Sequence, residues 1–269
     1  MRTAADLATL NQTTGGDYFG YIDISIDGCP PFVMFLNGHD CWVASNFKDA
    51  GHYEPASLGL WCRVAAQASA VIDIGANSGI FSLAAASVNG TAPVLALEPN
   101  PLAFARLAVN VAANGAANIA CKPVAAADKQ GWAPFSWVAK DDGHISPGGH
   151  LGGSAEAGAV SVAVPTETIS ELTKPIALGD RPLVKIDVEG GERLVFEGMG
   201  PVLGLRPDIL LESFDASVCA QLSDQLAPAG YRFYGINEDS GAIVERARLE
   251  PATRSQLNQF LTTRPIPDR

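Results

Sequence analysis

The stretch VIDIGANSG, from Val71 to Gly79, decides the fold. An apolar run carrying a single acid, Asp73, gives way to a glycine-bracketed turn and then to the opening of an amphipathic helix. A buried parallel strand feeding a tight turn and a helix N-terminus reads this way. Glycine removes the Cβ that would block close approach, so the N–H groups of such a turn can face a ligand.

On the C-terminal side of this turn, strands and helices alternate. VIDIGA predicts a strand followed by a helix from Ser78 to about Asn89, and APVLALE a strand followed by a helix from Leu102 to about Ala113. NIACKPVAA reads as a third strand. PLVKIDV is a fourth, with a helix from Gly191 to about Met199, and DILLESF a fifth, with a helix from Ser217 to Leu226. Near-continuous apolar strands between helices predict an α/β fold with a doubly wound, mostly parallel sheet covered on both faces. YRFYGI and AIVER close that sheet, antiparallel at one edge.

On the N-terminal side, YFGYIDISIDG and PFVMFLNGHDCWVAS read as short antiparallel strands, and Pro55 with Leu58, Trp61, Cys62 and Ala65 marks a helix packed on a core. The expected organisation is an N-terminal β-hairpin/helix extension over residues 1–66, packed on a main domain at 67–249, with a C-terminal tail at 250–269 whose last residues, TTRPIPDR, fray. The Gly- and Ser-rich segment from Lys140 to Ala159 is expected to be a loop, of a length usual for lids, binding loops or disorder.

Bulk properties narrow the function. The 29 acidic and 18 basic residues leave a net charge of −11 over 269 residues. That balance argues against nucleic acid as a partner, because phosphate binding needs clustered Lys and Arg. It equally disfavours an anionic membrane surface. The five cysteines are scattered without metal-ligand spacing, as buried thiols in a reducing compartment would be, and no apolar run is long enough to cross a bilayer. A cytoplasmic location is expected.

In an open parallel sheet the ligand sits beyond the carboxyl ends of the strands. Acids stand at three such ends: Asp73, Glu98, and Asp187 with Glu189. Glu98 follows the turn by about 20 residues, the spacing at which a carboxylate meets ribose hydroxyls. The dinucleotide fingerprint GxGxxG is not met, because Asn77 and Ile80 stand where its later glycines belong. The turn Gly75-Ala-Asn-Ser-Gly79 instead resembles the GxGxG loop of class I S-adenosylmethionine-dependent methyltransferases. GHYEP, VIDIGANSGIFS, ALEPNP and above all VKIDVEGGERLVFEGM, taken in order between about Tyr53 and Phe214, resemble the FkbM family of these enzymes. The resemblance implies a class I (Rossmann-like) fold, S-adenosylmethionine as cofactor, and a small-molecule or glycan hydroxyl as acceptor.

The same resemblance assigns candidate residues. Gly75, Ala76, Asn77 and Gly79 form the cofactor turn, Glu98 beside Pro99 contacts the ribose, and Ala126 and Asp128 lie where the adenine is held. Asp73 either reaches the methionine end or braces the turn's amides, and Asp128 either accepts from the adenine amine or serves turn chemistry. Glu54, next to Tyr53, either approaches the methionine end or stabilises the N-terminus of the helix at Pro55. Asn100 caps the following helix.

For catalysis, Asp187 is the first choice as base or orienting group, and Lys185 holds a substrate oxygen or fixes a carboxylate. Period two places Lys185, Asp187 and Glu189 on one side if the strand stays extended to Glu189. Glu189 alternatively pairs with Arg193, while Glu192 reads as structural. His144, and less so His150, serves as base if the loop closes; the plainer reading is a surface histidine. No spacing demands a metal, and none is expected. The competing functions are a nucleotide- or NAD-linked oxidoreductase and a non-catalytic S-adenosylmethionine-binding module.

Overall fold

Residues 3–14, 17–138, 149–154, 156 and 158–267 are described in a computed structural model. After a short 3-10 helix over Ala4–Leu10 come three antiparallel strands, β1 (Gln12–Thr14), β2 (Asp17–Ile24) and β3 (Phe32–Asn37). Then come two helices, α1 (Trp42–Ala50) and α2 (Pro55–Ala65). The α1 segment departs from the expected strand. Val43, Ala44 and Phe47 are its buried apolar positions, and their spacing gathers them on one helical face.

The main sheet begins with β4 (Ala70–Ile74), α3 (Ile80–Val88), β5 (Val94–Leu97), α4 (Pro101–Asn114) and β6 (Ile119–Lys122). Helix α3 starts two residues later than expected, because Gly79 sits in the left-handed region at φ 95° as its N-cap. The chain then leaves this sheet. The segment read as one third strand breaks after Lys122, and β7 (Ala125–Ala126) joins β8 (Gly131–Val138), β9 (Gly149–Leu151) and β10 (Ala159–Glu167) in a separate four-stranded sheet, order β7-β10-β8-β9. The segment expected as a loop therefore contains β9 and the first residue of β10.

After α5 (Ile169–Leu172), the main sheet resumes with β11 (Pro182–Ile186), α6 (Glu192–Met199), α7 (Pro201–Gly204), β12 (Asp208–Glu212) and α8 (Ala216–Leu226). It ends with β13 (Arg232–Ile236), β14 (Ile243–Arg246) and β15 (Asn258–Thr262). The order is β14-β13-β15-β12-β11-β4-β5-β6, with the five strands from β12 to β6 mutually parallel. The expected α/β class and doubly wound, mostly parallel sheet are thus observed.

The segment at 258–262 is not a tail. β15 lies antiparallel between β12 and β13, and all five of its residues are buried. Nor do Thr262 and Arg264 fray. Thr262 donates from its hydroxyl to Asp208, and the Arg264 guanidinium donates to the carbonyls of Arg206 and Asp180 at 2.7 Å each.

Side chains alternate across the strands, so the sheet has two cores. Ile72, Ile74, Val184, Ile186, Ile209 and Leu211 face α6 and α8. Val71, Leu183 and Leu210 face α2, α3 and the N-terminal strands. The three-stranded N-terminal sheet docks through α4. Asn110 accepts from Phe35 N at 2.8 Å and donates to Ser78 O at 2.8 Å, while Asn114 accepts from Val33 N and donates back to Val33 O. Two buried amides thus stand in for a neighbouring strand along β3, which would otherwise be an open edge.

Asn110→Ala strands a buried amide N–H and a carbonyl between layers. A loss of about 2–4 kcal/mol of unfolding free energy is expected in urea denaturation, and a loss below about 0.5 kcal/mol would show the docking to be incidental.

Candidate active site

Strand order reverses between β4 and β11. The chain runs outward from β4 through β5 to β6, then returns to the other side of β4 through β11 and β12. At that switch point the carboxyl ends of the strands open a crevice. Register fixes what lines it. Asp73 lies opposite Ala96 and Lys185, Lys185 opposite Leu210, and Leu210 opposite Phe260. Two residues further along each strand, the same face presents a row of Glu98, Gly75, Asp187, Glu212 and Asn258, the last two being direct partners.

Gly75 is the gap in that row. Its φ is +81°, and a Cβ there would stand 1.7 Å from the Asp187 carbonyl oxygen. Only glycine lets the turn cross so close to β11. Above the gap lies a cavity whose floor includes Gly75, Ala76, Asn77, Glu98 and Pro99. Val124 to Ala126 line one end, Tyr53 and Glu54 another, and Asp187, Glu189 and Glu212 a third side. Trp42 of α1, Phe135 and Leu151 of the small sheet, and Leu257 supply apolar wall.

Glu98 is held firmly. Its two carboxylate oxygens accept from Asn77 N and Asn100 N, each at 2.7 Å. Burial nonetheless pushes its carboxyl up to about 7, against those two hydrogen bonds. Each oxygen keeps a lone pair for a further donor. The Asn77 side chain accepts from Ser78 N at 2.7 Å, tying the turn, and Asn100 caps α4 by accepting from Leu102 N.

Of the two roles expected for Glu54, the helix cap is not the one the structure displays. Glu54 occupies the N-cap position of α2 in the left-handed region, yet it makes no cap bond. Glu238, on the far side of the sequence, accepts from Ala56 N and Ser57 N and from the Ser57 hydroxyl instead. That frees Glu54 to line the cavity, where its Oε2 accepts from Asn258 Nδ2 at 2.8 Å and burial raises its carboxyl.

Lys185 is fully buried under the row. Its ammonium lies 3.3 Å from Asp187 Oδ2 and 5.0 Å from the centre of the Phe81 ring. Burial alone would lower it. The charges of Asp187, Glu212, Glu54 and Asp73 outweigh that and raise it, so it stays an ammonium. Lys185 does not line the cavity; of the two roles expected for it, fixing a carboxylate is the one the geometry displays.

Asp73 also lies beneath the surface of the cavity, accepting from the Ser82 hydroxyl at 2.6 Å, with its carboxyl raised to about 6 by burial. Gly79 stands behind the turn as the cap of α3, and Asp128 is exposed beside Lys129. His144 lies outside the described residues; His150 is in β9 but not on the cavity wall.

Extension does not persist to Glu189. The strand ends at Ile186, and Glu189 has φ +52°, so period two no longer holds there. Nor does it pair with Arg193, whose partner is Glu197. It reaches the cavity rim through the turn, and partial desolvation with the Asp187 charge pushes its carboxyl up to about 7. Among the described residues four non-glycines have positive φ, and three of them, Glu54, Asn77 and Glu189, line this cavity. Strained backbone gathers where geometry serves a ligand. Glu192 accepts from Gly190 N and braces the start of α6.

Glu212 was not singled out in the sequence. It ends β12 as Asp187 follows β11, so the same strand-end signal was present. Burial, then the charge of Asp187, pushes its carboxyl up to about 9, with Glu54 and Glu189 adding and Lys185 opposing. A carboxyl raised on folding keeps a proton that the unfolded chain has already lost. The stability this proton brings is fully present below 4.5, and is lost as pH rises toward about 9. Melting temperature should therefore decline from about pH 6 to about pH 9, and Glu212→Gln should decline less steeply. Equal slopes would show Glu212 to be ionised throughout.

Solved structures similar to this chain include methyltransferase FkbM from Methylobacillus flagellatus KT, at 13% identity and a TM-score of 0.47, covering 72% of this chain and 43% of that one. The chain thus spans less than half the length of that protein. A human methyltransferase 10 domain containing protein matches at 15% identity and a TM-score of 0.45, covering 82% of this chain and 93% of its own. TYW2 from M. jannaschii, solved in complex with AdoMet, matches at 12% identity and a TM-score of 0.41, covering 90% and 84%. No curated protein matches the chain. Residues 73–233, more than half of the sequence, match the methyltransferase FkbM domain, and the chain belongs to the FkbM family of methyltransferases.

Proposed function

We propose that this protein is an S-adenosylmethionine-dependent O-methyltransferase acting on a hydroxyl of a sugar, glycan or natural product. The observation that carries the reading is the strand-end row, in which the turn at Gly75 runs between Glu98 and Asp187 and all three line one cavity. The residues fit the cofactor. Glycine at 75 lets the turn pass against the Asp187 carbonyl beside the cavity, Glu98 has lone pairs for two ribose hydroxyls, and Val124 to Ala126 offer an apolar wall for the adenine. Tyr53 and Glu54 stand at the end suited to the methionine amino group.

When bound, S-adenosylmethionine supplies an electrophilic methyl group on a positively charged sulfur, and transfer to a hydroxyl leaves a neutral thioether and frees one proton. Asp187 accepts the acceptor's O–H hydrogen bond and turns its oxygen toward the methyl group. Lys185, anchoring Oδ2 from below at 3.3 Å, keeps that carboxylate in place. Glu189 at the rim holds a second acceptor hydroxyl, and Trp42, Phe135, Leu151 and Leu257 exclude water. Most of the acceleration then comes from alignment, with the carboxylate assisting. Among the described residues no Lys, Arg or His lines the cavity, which suits an uncharged acceptor over an anionic one.

Calorimetry with S-adenosylhomocysteine and with NAD tests the cofactor: binding of NAD alone would overturn the reading. Glu98→Ala should weaken S-adenosylhomocysteine binding by roughly 10- to 100-fold, the loss of one or two charge-assisted hydrogen bonds. Asp187→Asn should lower kcat by about 10²- to 10⁴-fold while S-adenosylhomocysteine affinity stays within a few-fold. Labelled methyl groups should be recovered from an acceptor library as alkali-stable ethers, and recovery as N-methyl products would refute O-transfer.

A further inference from the structure

Resting on the cofactor reading above, we infer that Glu212 is a charge-compensating residue: it gives up its proton when positive charge enters the cavity beside Asp187, and recovers one when that charge is gone. It thereby makes the site distinguish a cationic sulfonium cofactor from its neutral thioether product.

The geometry sets this up. Asp187 and Glu212 follow and end adjacent parallel strands in register, and both line the cavity on the same side of the Gly75 gap. They share one buried cation, and it is committed: Lys185 donates to Asp187 Oδ2 at 3.3 Å. Among the described residues, the other elements packed around this corner bring only further acids and a phenol. Glu54 and Tyr53 face it from the start of α2, and Glu189 from the turn before α6. Asn258, next to Glu212 on β15, spends its amide N–H on Glu54.

One ammonium cannot neutralise Asp187, Glu54 and Glu212 together. Glu212 accordingly retains its proton at neutral pH in the ligand-free protein. A unit positive charge brought within about 4–6 Å of a carboxylate lowers its pKa by roughly 1–3 units, enough to release that proton near pH 8. By reciprocity, the same coupling raises affinity for the charged cofactor relative to the neutral one, and by an equal factor. The proton freed from the acceptor hydroxyl has a destination in the same row, because Glu212 has by then become a carboxylate. One positive charge leaves the sulfur and one arrives on the carboxyl, so the corner stays balanced through the transfer, and its hold on the product falls.

The test needs no acceptor. Titrate the intact protein at about pH 8 with S-adenosylmethionine and with S-adenosylhomocysteine, in buffers of differing ionisation enthalpy. The first should release more than about half a proton per site and the second close to none. In Glu212→Gln the difference should vanish, and the affinity ratio of the two ligands should drop by roughly 10-fold, which a fall of about two pKa units from about 9 gives at pH 8. The amide is isosteric, and a melting scan checks that the variant is folded; Glu197→Gln, at an exposed helix position, serves as a second variant that should keep the wild-type difference. Equal proton release for both ligands, or a difference that survives in Glu212→Gln, overturns the inference while leaving the cofactor assignment standing. Failure of either ligand to bind overturns the cofactor assignment itself.

Discussion

The contact between the turn at Gly75 and the backbone of Asp187 is the constraint on which the rest depends. Asp187 N donates to Ile74 O at 3.0 Å, continuing the β4–β11 ladder one residue past the strand, and the Asp187 carbonyl then occupies the space a Gly75 side chain would need. Two polypeptide segments are pressed together at the switch point, between the acids Glu98 and Asp187. Gly75 N and Ala76 N both donate to Leu97 O, so the third strand of the corner is tied to the same turn. The turn at Gly75, Glu98 and the backbone of Asp187 are thus tied together. Alignment of that kind is what methyl transfer asks of a protein.

Electrostatics is the second theme. Five carboxyls, from Asp73, Glu54, Asp187, Glu189 and Glu212, crowd around one buried ammonium. Such a cluster is costly to assemble in a folded protein, and burial is the first cause of nearly every shift in it. Such a concentration of acids is complementary to a ligand bearing positive charge.

Much of this was legible in the sequence, because the parallel strands are apolar throughout and their end acids stand out against them. VIDIGANSG, ALEPNP and KIDVEGGE gave the order of the central strands and the acids Glu98 and Asp187. What stayed hidden depends on long-range pairing. NQFLT is too short and too mixed to announce a buried strand, and only its fit between β12 and β13 makes it one. The small sheet was missed because WAPFSWV and AVSVAVPTE carry prolines and an alternation that a lone segment does not resolve. Glu238 capping α2 across 182 residues has no local signal at all, so the sequence leaves Glu54 open between the helix N-terminus and the methionine end. Trp42 and Phe135 reach the cavity through elements whose placement the sequence does not encode locally.

The interior position of β15 bears on how the chain acquires its shape. Glu54 has its hydrogen-bond partner Asn258 204 residues later, and the strand that carries Asn258 separates two strands made before it. A chain emerging from the ribosome can pair the strands from β6 to β12, but β12 then waits with a bare edge until a much later segment arrives. That interval is one in which an exposed strand edge invites wrong partners, and a chaperone's attention would fall there. The acid nearest the expected methionine end is also among the last to be fixed, so the pocket is completed only as the sheet is sealed.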